Sequence, residues 1–205
     1  MANRTEGFHT KRETKGSKTK RLLYESALAL FKEKGYDNVS VEEIAHKAGT
    51  AKGTFYIYFD SKARVITEML EKYDDYYDQL FARMDPNLGA DAKIELLIRQ
   101  CCRFTQDVVG LELIRVLYTN QLVLSQGGKE ALDVNRSLYR ILVDLVREGQ
   151  LSGEYSRAYD PLDAARILIR GIRGSFYEWC LQEGSFDLTE STCRFTGFLR
   201  QVLRH

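Results

Sequence analysis

The chain has 205 residues, of which 44% are apolar and 29% charged, with a formal net charge of +1. These are ordinary proportions for a globular protein. No run of about 18 apolar residues is available to span a membrane, and no N-terminal apolar stretch resembles a signal peptide, so a cytoplasmic protein is expected.

The small net charge hides an asymmetry. Residues 1–62 carry 12 Lys/Arg against 8 Asp/Glu, a balance of +4, while the remainder carries 18 against 21, a balance of −3. The basic end is the candidate for meeting a polyanion, and a solvated basic tail is the plainer reading of the same count. Pro86 and Pro161 are the only prolines, and so few helix breakers favour a mostly helical chain.

Residues 1–16 are polar and basic and read as a flexible arm. A first helix is predicted from Lys18 or Thr19 to Lys34, with Leu23, Ala27, Leu30 and Phe31 at helical spacing and Gly35 to end it. Ser40-Val41-Glu42-Glu43 is a capping box opening a second helix, Val41 to about Ala48, which Gly49 stops. A short third helix is predicted over Ala51–Tyr56, and a fourth from about Lys62, behind Ser61, to Met84. Amphipathic helices follow over about 91–106, 111–124 and 130–148, with Gly127-Gly128, Gly149 and Gly153 bounding the connections. Pro161 suits the first turn of a helix reaching about Glu183, and the last helix spans about 189–203. Strand alternation is absent, so the expected fold is all-α, with a three-helix N-terminal head on a larger helical body, about nine helices in all.

Two short helices joined by Ala48-Gly49-Thr50 form a helix-turn-helix pattern at residues 40–59. The second helix must protrude to enter a major groove, so its outward face is small and polar while the first helix supports it. The stretch from Ser40 through Ile44-Ala45, Ala48-Gly49, Gly53-Thr54 and Tyr56-x-Tyr58-Phe59 to Lys62 resembles the TetR/AcrR family of transcriptional regulators. Ala29-Leu30-Phe31 and Gly35-Tyr36 extend the resemblance, which covers residues 17–77. Two positions depart from the family pattern: Ala51 stands where Ser or Thr usually caps the recognition helix, leaving Thr50 to take over the cap, and Ile57 stands where a polar residue or His is common.

The resemblance implies a DNA-binding domain at 17–77 and a ligand-binding and dimerisation domain at 78–205, in a dimeric repressor released from its operator by an effector. It also implies DNA-binding roles by position. Ser40 and Lys62 would meet phosphates, and Thr50, Ala51, Lys52 and Thr54 would approach base edges or phosphates. Gly53 would permit close approach, Ile57 would touch a thymine methyl or cover the sugar, and Tyr56 and Tyr58 would bring hydroxyls to the backbone. Phe55 and Phe59 read as core. The basic stretch Lys11–Arg21 reads equally as a groove-tracking arm or as tag-like sequence.

In the family the last two helices pair with their copies, and the small residues Gly171, Gly174 and Ser175 with the stripe Phe195, Phe198, Leu199, Val202 and Leu203 fit a homodimer. Two recognition helices roughly 34–36 Å apart would then reach successive major grooves of a pseudo-palindrome. Phe104, Tyr118, Gln121, Tyr139, Phe176 and Trp179 are candidates for an effector pocket in the body, each also readable as plain core. They point to a small hydrophobic or aromatic effector, while Arg115, Arg140, Arg170 and Arg173 keep an anionic head group open. Cys101, Cys102, Cys180 and Cys193 lack a CxxC spacing and His9, His46 and His205 are scattered, so no metal, cofactor or catalytic site is expected. The cysteines read as buried free thiols, with a redox role as the alternative. A helical enzyme or small-molecule-binding protein, an activator, or a non-specific architectural DNA binder are the competing readings; no nucleophile–base pair or phosphate-cradling loop supports the enzyme.

Overall fold

The computed structural model describes residues 14–123 and 130–204. Among these the fold is all-α: nine α-helices and one π-helical turn. Residues 1–13, most of the expected basic arm, and the glycine pair at 127–128 lie outside the described residues. The chain divides into two compact units, Met1–Lys62 and Ala63–His205.

The first unit is built by three helices, each delimited by polar or glycine signals. α1 (Lys15–Lys34) begins earlier than its apolar spacing predicts, because the Thr14 hydroxyl caps it by accepting from the Ser17 N–H at 3.1 Å. α2 (Val41–Lys47) opens on the complete Ser40–Glu43 capping box. It closes in a Schellman motif, where Gly49, at φ 67°, donates to His46 O and Thr50 to Ala45 O. That left-handed φ is what glycine supplies at the turn. α3 (Lys52–Tyr58) starts one residue later and ends two later than expected. Leu23, Ala27, Phe31, Ile44, Ala45, Phe55 and Phe59 form the core of this unit, all essentially inaccessible. Each large member contributes about 1.5–3 kcal/mol on burial.

α4 (Lys62–Ala82) runs without a break through residue 77, where the sequence put its domain boundary. The second unit continues with α5 (Ala90–Arg103), a π-helical turn (Phe104–Val109), α6 (Leu111–Val123), α7 (Ser137–Ser152), α8 (Pro161–Leu181) and α9 (Leu188–Val202). α8 packs between α7 and α9 and also meets α6, while α5 packs on α7 and α9. Asp160 caps α8 ahead of Pro161, as its sequence suggests, and Asp187 caps α9.

Two expectations for this unit are corrected. The helix expected over 130–148 is interrupted. The Asp133 carboxylate accepts from the Asn135 N–H at 2.9 Å in a local turn, so regular helix begins only at Ser137. Gly149 lies inside α7 rather than at its end, since a Cβ there would come within 2.4 Å of the Tyr155 ring. The glycine lets Tyr155 fold back onto the helix and donate to Asp91 at 2.7 Å. A Gly149→Ala substitution should therefore lower unfolding free energy by about 1–3 kcal/mol through overpacking, read as a drop in thermal midpoint with helical content retained.

Candidate functional site

α3 divides into an inner and an outer face. Phe55 and Phe59, one helical turn apart, are buried with ring centroids 5.5 Å apart. Ala51, Lys52, Gly53, Tyr56 and Ile57 face solvent, and Thr54 and Tyr58 are half-buried. Ile57 is 75% exposed, and a Cβ built on Gly53 meets nothing within 4 Å. Nothing inside the first unit therefore explains Ile57 or requires a glycine at 53. The exposed Lys52 pairs with Glu42 across from α3 to α2, and such an exposed pair is weakly held.

The polar ends of the motif are bonded within the unit. The Ser40 hydroxyl accepts from the Glu43 N–H and donates to Glu43 Oε2 at 3.0 Å, so its proton is already committed. Lys62 Nζ donates to Tyr36 O at 2.8 Å and Val39 O at 2.7 Å and lies over the Tyr36 ring. It ties down the loop that leads into Ser40, where the sequence had assigned both residues to phosphates. Thr50 does not take over the cap left by Ala51: its hydroxyl turns back to Ala45 O, and α3 starts with no side-chain cap.

Glu43 receives the Lys34 ammonium at 2.8 Å as well as the two Ser40 bonds. The lysine first, then the serine groups, lower its pKa from the usual 4.5 to about 2. A folded-state pKa below the unfolded one means the stabilisation is complete above pH 4.5 and is lost as pH falls toward 2. Melting of wild type and Glu43→Gln across that interval should show the acid-dependent loss in wild type and a flatter profile in the variant.

The second unit holds a cavity of about 70 Å³, partly open to solvent. α4 contributes Leu70, Tyr73 and Tyr77; α6 contributes Leu117, Tyr118 and Gln121; α8 contributes Ile172, Arg173 and Phe176; Tyr139 comes from α7. The tyrosine hydroxyls are anchored in a buried network: Tyr73 to Thr105 at 2.8 Å, Tyr77 to Cys101 Sγ at 2.9 Å, and Tyr118 to Arg173 O at 3.2 Å. Thr105 reaches Tyr73 from the π-helical turn, a local unwinding often found at functional sites. Burial pushes the phenols of Tyr73, Tyr77 and Tyr118 up and the Cys101 thiol up to about 12. Cys101 thus stays a protonated hydrogen-bonding partner, not a thiolate. All four cysteines are free and buried.

Of the expected pocket residues, Tyr118, Gln121, Tyr139 and Phe176 line this cavity. Phe104 and Trp179 do not. Phe104 stacks on Tyr76 at 4.3 Å outside the lining, and the Trp179 indole N–H is drawn to Phe186 O at 3.2 Å, between α8 and α9. The sequence reading missed Leu70, Tyr73 and Tyr77, although their spacing along α4 puts them on one helical face.

α8 and α9 also present an apolar surface to solvent. Tyr177, Leu181, Phe195, Phe198 and Val202 are each about half exposed or more. Leu203, expected in the same stripe, is buried. Gly171 lies where a Cβ would be 3.0 Å from Leu199 and 3.1 Å from Phe195, so the two helices approach closely beneath this surface. Among the described residues no group of His, Cys, Asp and Glu could hold a metal ion, and no helix is long and apolar enough to cross a membrane.

The family model for bacterial regulatory proteins of the tetR family matches residues 23–69. The HTH-type transcriptional regulator YvdT of Bacillus subtilis is 33% identical over 157 residues, 75% of this chain and 78% of that protein. The transcriptional regulator AcuR of Cereibacter sphaeroides is 30% identical over 161 residues, covering 75% and 72%. The crystal structure of Thermus thermophilus FadR, a TetR-family transcriptional repressor in complex with lauroyl-CoA, superposes with a TM-score of 0.67 at 19% identity, covering 88% of this chain and 92% of that one.

Proposed function

Because the chain belongs to the TetR family and is a DNA-binding transcriptional regulator, we propose that it is a homodimeric repressor whose operator binding is relieved by a small hydrophobic or aromatic effector in the body cavity. The outer face of α3 carries this reading. It exposes Lys52, Tyr56 and Ile57 beside an unobstructed Gly53 on a helix whose other face is locked into the core. Thr50, Ala51, Lys52, Gly53, Thr54 and Ile57 meet the major groove, with the Tyr56 and Tyr58 hydroxyls at the flanking backbone. Ser40 and Lys62 meet phosphates at the two ends of the motif while holding the loop and α2 that support α3. The domain division is a DNA-binding head at 17–77, whose last helix α4 also lines the body cavity, and a ligand-binding and dimerisation body at 78–205.

The exposed surface of α8 and α9 pairs with its copy, so that two heads read a pseudo-palindromic operator. Thermus thermophilus FadR, similar in fold, is a TetR-family repressor solved in complex with lauroyl-CoA, which supports reading this chain as ligand-responsive. An effector that prefers the DNA-free state of the dimer lowers operator affinity by the ratio of its affinities for the two states.

The test is fluorescence anisotropy with labelled DNA from the region upstream of the protein's own gene, over a salt series. Tight, salt-sensitive binding with a short palindromic footprint is expected, and its absence from that region and from neighbouring promoters overturns the proposal. Lys52→Ala should weaken specific binding and reduce the salt slope by about 1. An unchanged affinity and slope would remove Lys52 from the interface.

A further inference from the structure

The two arginines at the body cavity are not equivalent. Arg136 is neutralised: its guanidinium donates to both oxygens of Asp74 at 3.0 and 3.1 Å and to Leu70 O at 2.7 Å. Arg173 is half-buried, donates to the neutral carbonyl of Ala131, and lies 5.8 Å from the centre of the Tyr139 ring. Among the described residues no carboxylate pairs with it. Ile169, Arg170, Phe176 and Tyr177, its neighbours one turn away on α8, supply no acid either. A partly desolvated cation that has only a neutral acceptor and an aromatic ring gains from a counter-ion placed beside it.

The rest of the lining sets the other end of the ligand. Gln121 and the Tyr139 hydroxyl add hydrogen-bonding groups without a protein partner among the described residues, while Leu117, Ile172 and Phe176 make the wall apolar. The space is about 70 Å³, under half of the roughly 150 Å³ that an engineered apolar cavity uses to hold benzene. Modest side-chain movement therefore admits a compact body.

We propose that the effector is a compact organic carboxylate, monoaromatic or short-chain aliphatic, whose charged group pairs with Arg173 and whose apolar part lies against Leu117, Ile172 and Phe176. This rests on the reading of the cavity as the effector site. Negative charge and small size are what it adds.

The experiment uses the full-length protein with benzoate, phenylacetate and hexanoate, their uncharged amides, and lauroyl-CoA, read by thermal shift and calorimetry. At least one carboxylate should bind with an affinity tenfold or more above its amide, and Arg173→Gln should erase that preference while Arg173→Lys keeps part of it. Ala131 also lines the cavity, and Ala131→Leu, which fills it, should abolish binding of every compound. Amides binding as well as carboxylates, or Arg173→Gln leaving carboxylate affinity intact, overturns the charge assignment while the cavity stands. Binding that survives Ala131→Leu in a variant that still melts cooperatively and binds DNA overturns the cavity itself. No binding by any carboxylate, or binding by lauroyl-CoA alone, overturns the proposal.

Discussion

A Phe198→Glu variant is expected to be a folded monomer that binds operator DNA about 10²–10⁴-fold more weakly than wild type, because the second half-site is no longer engaged at high effective concentration. Phe198 is 63% exposed, so the charge disturbs little within the chain. It lies on α9 beside Phe195 and Val202, on the face that also includes Tyr177 and Leu181 of α8. If this face pairs with its copy as proposed, a carboxylate here puts two copies of it across a two-fold axis, where desolvation and like-charge repulsion act together. Sedimentation velocity should show the change of mass and circular dichroism an unchanged helix content. A variant that remains dimeric, or a monomer that retains full affinity, would remove this face from the interface.

The head was legible in the sequence because its signals are local. A capping box spans four residues, the glycine turn three, and the alternation of buried Phe55 and Phe59 with exposed Tyr56 and Ile57 is a property of one helix. What stayed hidden was which atoms already had partners. Lys62 looks like a free cation in the sequence, yet the carbonyls that hold it belong to Tyr36 and Val39, more than twenty residues upstream. Likewise, the Ser40 hydroxyl can cap and also donate outward only while Glu43 is not accepting its hydrogen bond.

The body was legible as helices and less so as a site. Amphipathic spacing located α5, α6, α8 and α9 closely, and α7 only in part, but it treats every inward aromatic alike. Tyr118 and Phe176 border empty space, while Trp179 is fixed by a carbonyl seven residues on. That distinction depends on where three or four helices fail to fill the volume between them, which no single helix encodes. The break before α7 escaped for a related reason. Arg136 leaves the helical pattern to reach Asp74 on α4, a partner 62 residues away.

Gly53→Leu should move stability and DNA binding in opposite directions. Inside the first unit the substitution meets open space, since a Cβ at this position has no neighbour within 4 Å. Leucine is the better helix former, so the head should gain up to about 0.5–1 kcal/mol and melt slightly higher. The added side chain then projects from the outer face of α3 between Lys52 and Tyr56, into the space a DNA backbone or base edge must occupy. Operator affinity should fall at least about tenfold, or 1.4 kcal/mol, while the dimer stays intact. Core glycines such as Gly149, where a Cβ collides with Tyr155, should instead lose stability directly. If Gly53→Leu binds operator as tightly as wild type, the exposed face of α3 does not enter the groove, and the assignment of Lys52, Tyr56 and Ile57 fails with it.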